Sequence, residues 1–196
     1  MSQEVEIEVK SMLTENNYYK LLKGFNLKET DAIVQHNHYF ETSAFSLKEK
    51  KSGLRIREIA KTYTLTLKQP LKVGKLETHQ PLSAVEWELA REKGKLPDGE
   101  VMKQLIQLEI LVDQLEYQGT LTTSRIEIEY EGGILCFDKS SYFDQIDYEL
   151  EYEGKTEEHA QATLSKILSK YELSPFPTEN KVKRFFNSKL HRQNGN

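Results

Sequence analysis

A single cysteine, Cys136, stands among the 196 residues. It can close no disulfide within the chain, which fits a reducing compartment. Long apolar runs are equally scarce. No stretch approaches the roughly 18 apolar residues of a membrane span, and Met1-Ser2-Gln3-Glu4 leads straight into charge with no apolar leader segment. A soluble cytoplasmic protein is expected. Charge of one sign is lacking too: the formal net charge of −4 is mildly acidic, which argues against general nucleic-acid or membrane binding and leaves any anion site to locally grouped basic residues. What is abundant is charge of both signs, 30% against 37% hydrophobic, with aromatics spread throughout. That mixture belongs to a folded chain rather than a disordered one, and its length suits one domain over 1–196.

The charges are not scattered. Residues 4–10 alternate between ionic and β-branched side chains, the period of a strand. Thr14-Glu15-Asn16-Asn17, followed by Tyr18, Leu21 and Leu22, predicts a capped helix closing near Gly24. Segments 33–42, 53–59 and 62–68 read as strands, the last two as a hairpin. Apolar spacing then turns helical over 83–93 and 98–116, predicting a helical insertion at about 83–116 that Trp87 anchors. Strands return at 120–131, 133–139 and 145–153, and a last helix is expected over about 156–171.

Dividing each strand into faces separates chemistry. One face carries Val5, Ile7, Val9, Leu54, Ile56, Leu65, Leu67, Ile126, Ile128, Tyr148, Leu150 and Tyr152. The other carries Glu4, Glu6, Glu8 and Lys10, then Arg55 and Arg57, Thr64, Thr66 and Lys68, Arg125, Glu127 and Glu129, and Asp147, Glu149, Glu151 and Glu153. Solvent alone would explain any one such face. Several faces, each concentrating one sign, need a counter-ion, because like charges two residues apart on a strand sit about 7 Å from each other. Paired carboxylates are hard ligands for Mg²⁺ or Mn²⁺, and guanidinium and ammonium groups suit phosphate. The expected fold class is α+β: a closed eight-stranded antiparallel barrel, charged inside, with helices packed outside.

In order along the chain, Glu6-Ile7-Glu8-Val9-Lys10, Tyr39-Phe40-Glu41-Thr42, Leu54-Arg55-Ile56-Arg57, Thr66-Leu67-Lys68, Arg125, Phe137-Asp138, Glu149-Leu150-Glu151 and Lys181-Val182-Lys183-Arg184-Phe185 resemble the landmarks of the CYTH, or triphosphate tunnel metalloenzyme, superfamily. The family often has Asp where Glu41 stands, and its Arg- and Glu-rich segment after the Lys68 strand is reduced here to Lys75-Leu76-Glu77-Thr78-His79. The resemblance implies a tunnel barrel that acts on a small-molecule triphosphate with Mg²⁺ or Mn²⁺. It implies metal ligands at Glu6, Glu8, Asp138, Glu149 and Glu151, and phosphate ligands at Lys10, Arg55, Arg57, Lys68, Arg125 and Lys181, with Lys183 an alternative to Lys181.

The expected reaction is hydrolysis, with Glu6 or Glu8 bridging metal and attacking water. Tyr39 and Lys68 are candidates for proton handling or leaving-group stabilisation, although Tyr39 also suits a packed strand aromatic. Two alternatives stay open: a class IV-type adenylate cyclase, for which no residue set specifies adenine, and a polyphosphate- or nucleotide-binding module without turnover. Monomer and homodimer are both compatible with the sequence. His36 and His38 share a face without a third ligand nearby and read as packing or surface histidines, and Cys136 reads as a small buried residue.

Overall fold

The computed structural model describes residues 3–194. They form an α+β fold in two compact units. One takes the chain up to Glu6 together with Gln35–Leu121, the other Ile7–Val34 and the chain from Thr122 onward. All the strand pairings given below are antiparallel, and the described residues hold nine strands rather than eight. Two additions to the seven strand segments read from the sequence give the nine. The expected strand over 4–10 is interrupted at Ile7 into β1 (Gln3–Glu6) and β2 (Glu8–Leu13), and a strand absent from the sequence reading occupies Lys75–Leu82.

In the first unit the strand order is β1-β6-β5-β4-β3-β7, with β3 Ile33–Thr42, β4 Gly53–Ile59, β5 Thr62–Pro70, β6 Lys75–Leu82 and the first part of β7, which runs Leu115–Tyr130. Period-two burial is sharp on β4 and β5. Leu54, Ile56, Leu65 and Leu67 are each at most 1% exposed and pack with Phe40, Trp87, Ala90, Val101 and Leu105 into one apolar cluster. Trp87 and Ala90 belong to α3 (Ala84–Lys93), Val101 and Leu105 to α4 (Glu100–Gln107), and Leu47 to α2 (Ser46–Glu49). Ser83 and Glu86 close a reciprocal capping box at the start of α3, whose end turns through Gly94 at φ 64°. The helical insertion thus covers the apolar face of this half of the sheet. Its second helix is shorter than expected, because Glu109 at φ 60° breaks it and β7 begins at Leu115. His38 packs as expected, its ring stacked 4.1 Å from that of Trp87.

The second unit orders the rest of β7 with β8 (Gly133–Tyr142), β9 (Gln145–Glu153) and β2. Tyr18, Leu21 and Leu22 of α1 (Glu15–Gly24) and Ala160, Leu164, Ile167 and Leu168 of α5 (Glu157–Lys170) close over Ile126, Leu135, Phe137, Leu150 and Tyr152. Thr14 and Thr156 cap these helices by accepting the backbone N–H groups of Asn17 and His159. A further helix, α6 (Lys181–Asn194), lies beyond the last helix expected from the sequence.

β9 shows what the fold does with charge. From Tyr148 to Tyr152 every residue is buried, Glu149 at 0% and Glu151 at 1% exposure. Its apolar face lies under helices, and its ionic face is just as dry.

Candidate active site

Cross-strand register builds the ionic set of the second unit. Arg125 of β7 lies opposite Asp138 of β8, which lies opposite Glu149 of β9, while Lys10 of β2 lies opposite Glu151 of β9. The resulting contacts are short and charge-assisted. Arg125 donates from Nε and Nη2 to the two oxygens of Asp138, at 2.7 and 2.6 Å, and from Nη2 to Glu151 at 2.5 Å. Lys10 Nζ reaches Glu151 Oε1 at 2.6 Å and Glu8 Oε1 at 3.0 Å. Lys181, on the first turn of α6, sends its ammonium to Asp138, Glu149 and Glu151 at 2.7, 2.8 and 2.7 Å.

The electrostatics follow from burial set against close opposite charge. Burial alone would raise the Glu151 pKa, but Lys10, Lys181 and Arg125 outweigh it and hold the carboxyl well below its ordinary range. Asp138 is likewise held low against burial by Arg125 and Lys181. Burial would lower Lys10 and Lys181, yet the facing carboxylates hold both above the ordinary lysine range. All these groups are therefore charged at neutral pH.

The first unit carries its own set. Lys68 Nζ donates to Glu6 Oε2 at 2.7 Å and also pairs with Glu77 of β6. Arg55 Nη2 lies 3.9 Å from Glu77, and Arg57 Nε donates to Asn37 Oδ1 at 3.0 Å. Glu77 is 4% exposed. Burial opposes its ionisation, but Lys68 and Arg55 prevail and bring its pKa down to about 2. Tyr39, 4% exposed, is the cross-strand partner of Arg55 and so lies on this ionic face rather than in the apolar cluster. Glu4, Glu77 and His79 place one donor atom each within 4.8 Å of one another, and His79 is oriented by a 3.0 Å contact between Nδ1 and Thr66 Oγ1.

The interruption at Ile7 divides the expected ionic strand. Glu4 and Glu6 pair along β6, whereas Glu8 and Lys10 pair along β9. Val5, expected on an apolar face, is 56% exposed. Of the two tail lysines, Lys181 meets the carboxylates and Lys183 pairs with Glu179 at 2.6 Å. Glu41 accepts the backbone N–H groups of Thr42, Leu47 and Lys48, a loop-ordering role. Glu77 and Arg184 were missed as members of these sets. The alternation Lys75-Leu76-Glu77-Thr78-His79 held the signal for Glu77, and Arg184 stands inside the tail motif Lys181-Val182-Lys183-Arg184-Phe185, in which only the lysines were given a role. Both carboxylate sets suit a hard divalent cation by donor chemistry, since they offer oxygen ligands, and Asp138, Glu151 and Glu77 among them are buried and held ionised.

The chain resembles known proteins over nearly its whole length. The CYTH domain matches residues 4–186. A Bacillus subtilis (strain 168) protein named "Putative triphosphatase YjbK" is 42% identical over 189 residues, spanning 96% of this chain and 98% of its own. The crystal structure of a "putative adenylate cyclase" from Bacillus halodurans shares 49% identity with a TM-score of 0.91, over 95% of this chain and 100% of that one. A Hippeastrum protein, described as a "putative adenylyl cyclase" with a dominant triphosphatase activity, has the same fold at 21% identity and a TM-score of 0.79, over 93% and 96% of the two chains. With the domain match spanning most of its length, the chain belongs to the CYTH domain family.

Proposed function

We propose that this protein is a metal-dependent hydrolase of a small triphosphate compound: inorganic triphosphate, thiamine triphosphate or a nucleoside triphosphate. The observation that carries the reading is the buried pairing of Asp138, Glu149 and Glu151 with Lys10, Arg125 and Lys181. Three carboxylates and three basic side chains stand in one dry cluster, where a metal and a phosphate group can each find the partner of opposite charge. Asp138, Glu149, Glu151 and Glu8, with Glu6 of the first unit, are the proposed metal ligands. A bound Mg²⁺ or Mn²⁺ would neutralise charge and polarise phosphoryl oxygens.

Lys10, Arg125 and Lys181, and from the first unit Arg55, Arg57 and Lys68, are the proposed phosphate ligands. Their fixed geometry supplies the positioning on which phosphoryl transfer depends. A carboxylate of Glu6 or Glu8 orients the attacking water, and Tyr39 and Lys68 stabilise the departing phosphate oxygen. The protein is proposed to work in the cytoplasm.

The name of the Bacillus halodurans relative keeps cyclisation of ATP as a second reading. Supplying inorganic triphosphate, thiamine triphosphate and ATP with Mg²⁺ or Mn²⁺ separates the possibilities. Orthophosphate release is expected. Cyclic AMP with pyrophosphate would identify a cyclase instead, and tight binding without turnover a binding module. Undiminished turnover in Glu6→Gln, Glu8→Gln and Arg57→Ala would remove the proposed site.

A further inference from the structure

We infer that Arg184 is a positioning residue, acting through Lys181 and Glu149 to set the phosphate-binding ammonium. The inference rests on the phosphate role proposed for Lys181. Arg184 lies three residues after Lys181 on α6, so the two side chains leave the same side of the helix about one turn apart. Its guanidinium uses the whole fork. Nε donates to Asp147 Oδ2 at 2.8 Å, Nη2 to Glu149 Oε2 at 2.7 Å, and Nη1 to Glu149 Oε1 at 3.2 Å. Nη1 also donates to Thr178 Oγ1 at 3.1 Å and to the Glu179 carbonyl at 2.5 Å. Asp147 is itself held, receiving the Tyr142 hydroxyl at 2.6 Å.

Two consequences follow for Lys181. Glu149 Oε2 is shared between Arg184 Nη2 and Lys181 Nζ, so the rotamer of Glu149 that meets the ammonium is the one the guanidinium fixes. Arg184 also gives Glu149 a second cation, one anchored on β9 and on the segment before α6. Glu149 therefore stays neutralised when Lys181 turns to a phosphate oxygen, and Lys181 moves without leaving a buried carboxylate unpaired. A lysine at 184 has no fork with which to span Asp147 and Glu149 together.

The test is titration calorimetry of inorganic triphosphate with Mg²⁺ on the full chain, each variant checked for folding by circular dichroism. Lys181→Met is expected to weaken binding at least about tenfold, and Arg184→Gln about tenfold, the scale of one charge-assisted hydrogen bond. Arg184→Lys should recover less than half of that loss on a logarithmic scale. The double variant should bind no worse than Lys181→Met, because without the ammonium Arg184 has nothing to place. If Arg184→Gln does not fold, Asp147→Asn removes one anchor of the guanidinium and should weaken binding severalfold. Unchanged binding in the folded Arg184 variant, or in its Asp147 substitute, overturns the inference, as does a double variant weakened by the product of the two single effects. A Lys181→Met chain that binds normally, or an unmodified chain that binds nothing, overturns the phosphate role beneath it.

Discussion

Replacing Glu151 by Gln removes one negative charge from a cluster in which Asp138, Glu149 and Glu151 face Lys10, Arg125 and Lys181. The amide keeps the size of the side chain, so the change is electrostatic. Lys10 loses a partner at 2.6 Å, Arg125 one at 2.5 Å and Lys181 one at 2.7 Å. One buried cation is then uncompensated, a defect that costs about 3–5 kcal/mol. For a chain of this size that corresponds to a fall in Tm on the order of 10 °C. Urea denaturation at pH 7 reads it directly.

The compensating variant is Glu151→Gln with Lys181→Met. Asp138 keeps its two-pronged contact with Arg125, Glu149 keeps Arg184, and Lys10 keeps Glu8. The charge count balances again, and at least half of the lost stability should return. A single-variant loss under about 1 kcal/mol, or a double variant that loses the sum of both single changes, would refute the electrostatic reading of this cluster.

Glu77 makes stability depend on acid. Its pKa is held at about 2 against an ordinary value of 4.5, so its contribution is complete above about 4.5 and disappears as pH falls toward 2. That amounts to about 3 kcal/mol, and Glu77→Gln should flatten this part of the stability-against-pH curve. Gly94→Ala should cost more than about 2 kcal/mol in urea denaturation, since the residue turns at φ 64° and an added Cβ would come within 1.8 Å of the Leu115 carbonyl oxygen. A loss below about 0.5 kcal/mol would contradict that packing. Cys136 is fully buried and its thiol pKa is pushed up by that burial. A thiol reagent should leave the native protein unlabelled and modify one site per chain in denaturant.

The strands were legible wherever alternation was strong. Leu54 and Ile56 against Arg55 and Arg57 need no tertiary knowledge, because a pleated strand separates neighbours to opposite faces. β6 was missed because Thr78, Gln80 and Pro81 dilute its alternation and its pairing with β1 and β5 supplies what propensity does not. α4 was read too long because Leu108 and Leu111 continue the helical spacing past a residue whose backbone has already turned. The tail lysines show a different limit. On an extended chain Lys181 and Lys183 share a face and are equivalent candidates. On a helix, two residues differ by about 200°, so once α6 forms, one points to the carboxylates and the other away. Its many charged residues concealed that helix, whose apolar contact rests largely on Phe185 and Phe186.

Ion clusters this dry are a poor way to stabilise a domain, because desolvation consumes much of the Coulomb gain, and well-packed apolar residues would serve as well or better. The apolar face of β9, closed by α1 and α5, is what offsets the cost in the second unit, and the Trp87 cluster does so in the first. A high charged fraction beside only an ordinary apolar one follows from that division, since strands such as β9 give alternate positions to a buried ionic face. Arg125, Lys10 and Lys181 hold ionised carboxylates in a place where neither sign could stand alone. Such a cluster matches a ligand that brings both signs at once, the charge pattern of the triphosphate and divalent cation proposed for it.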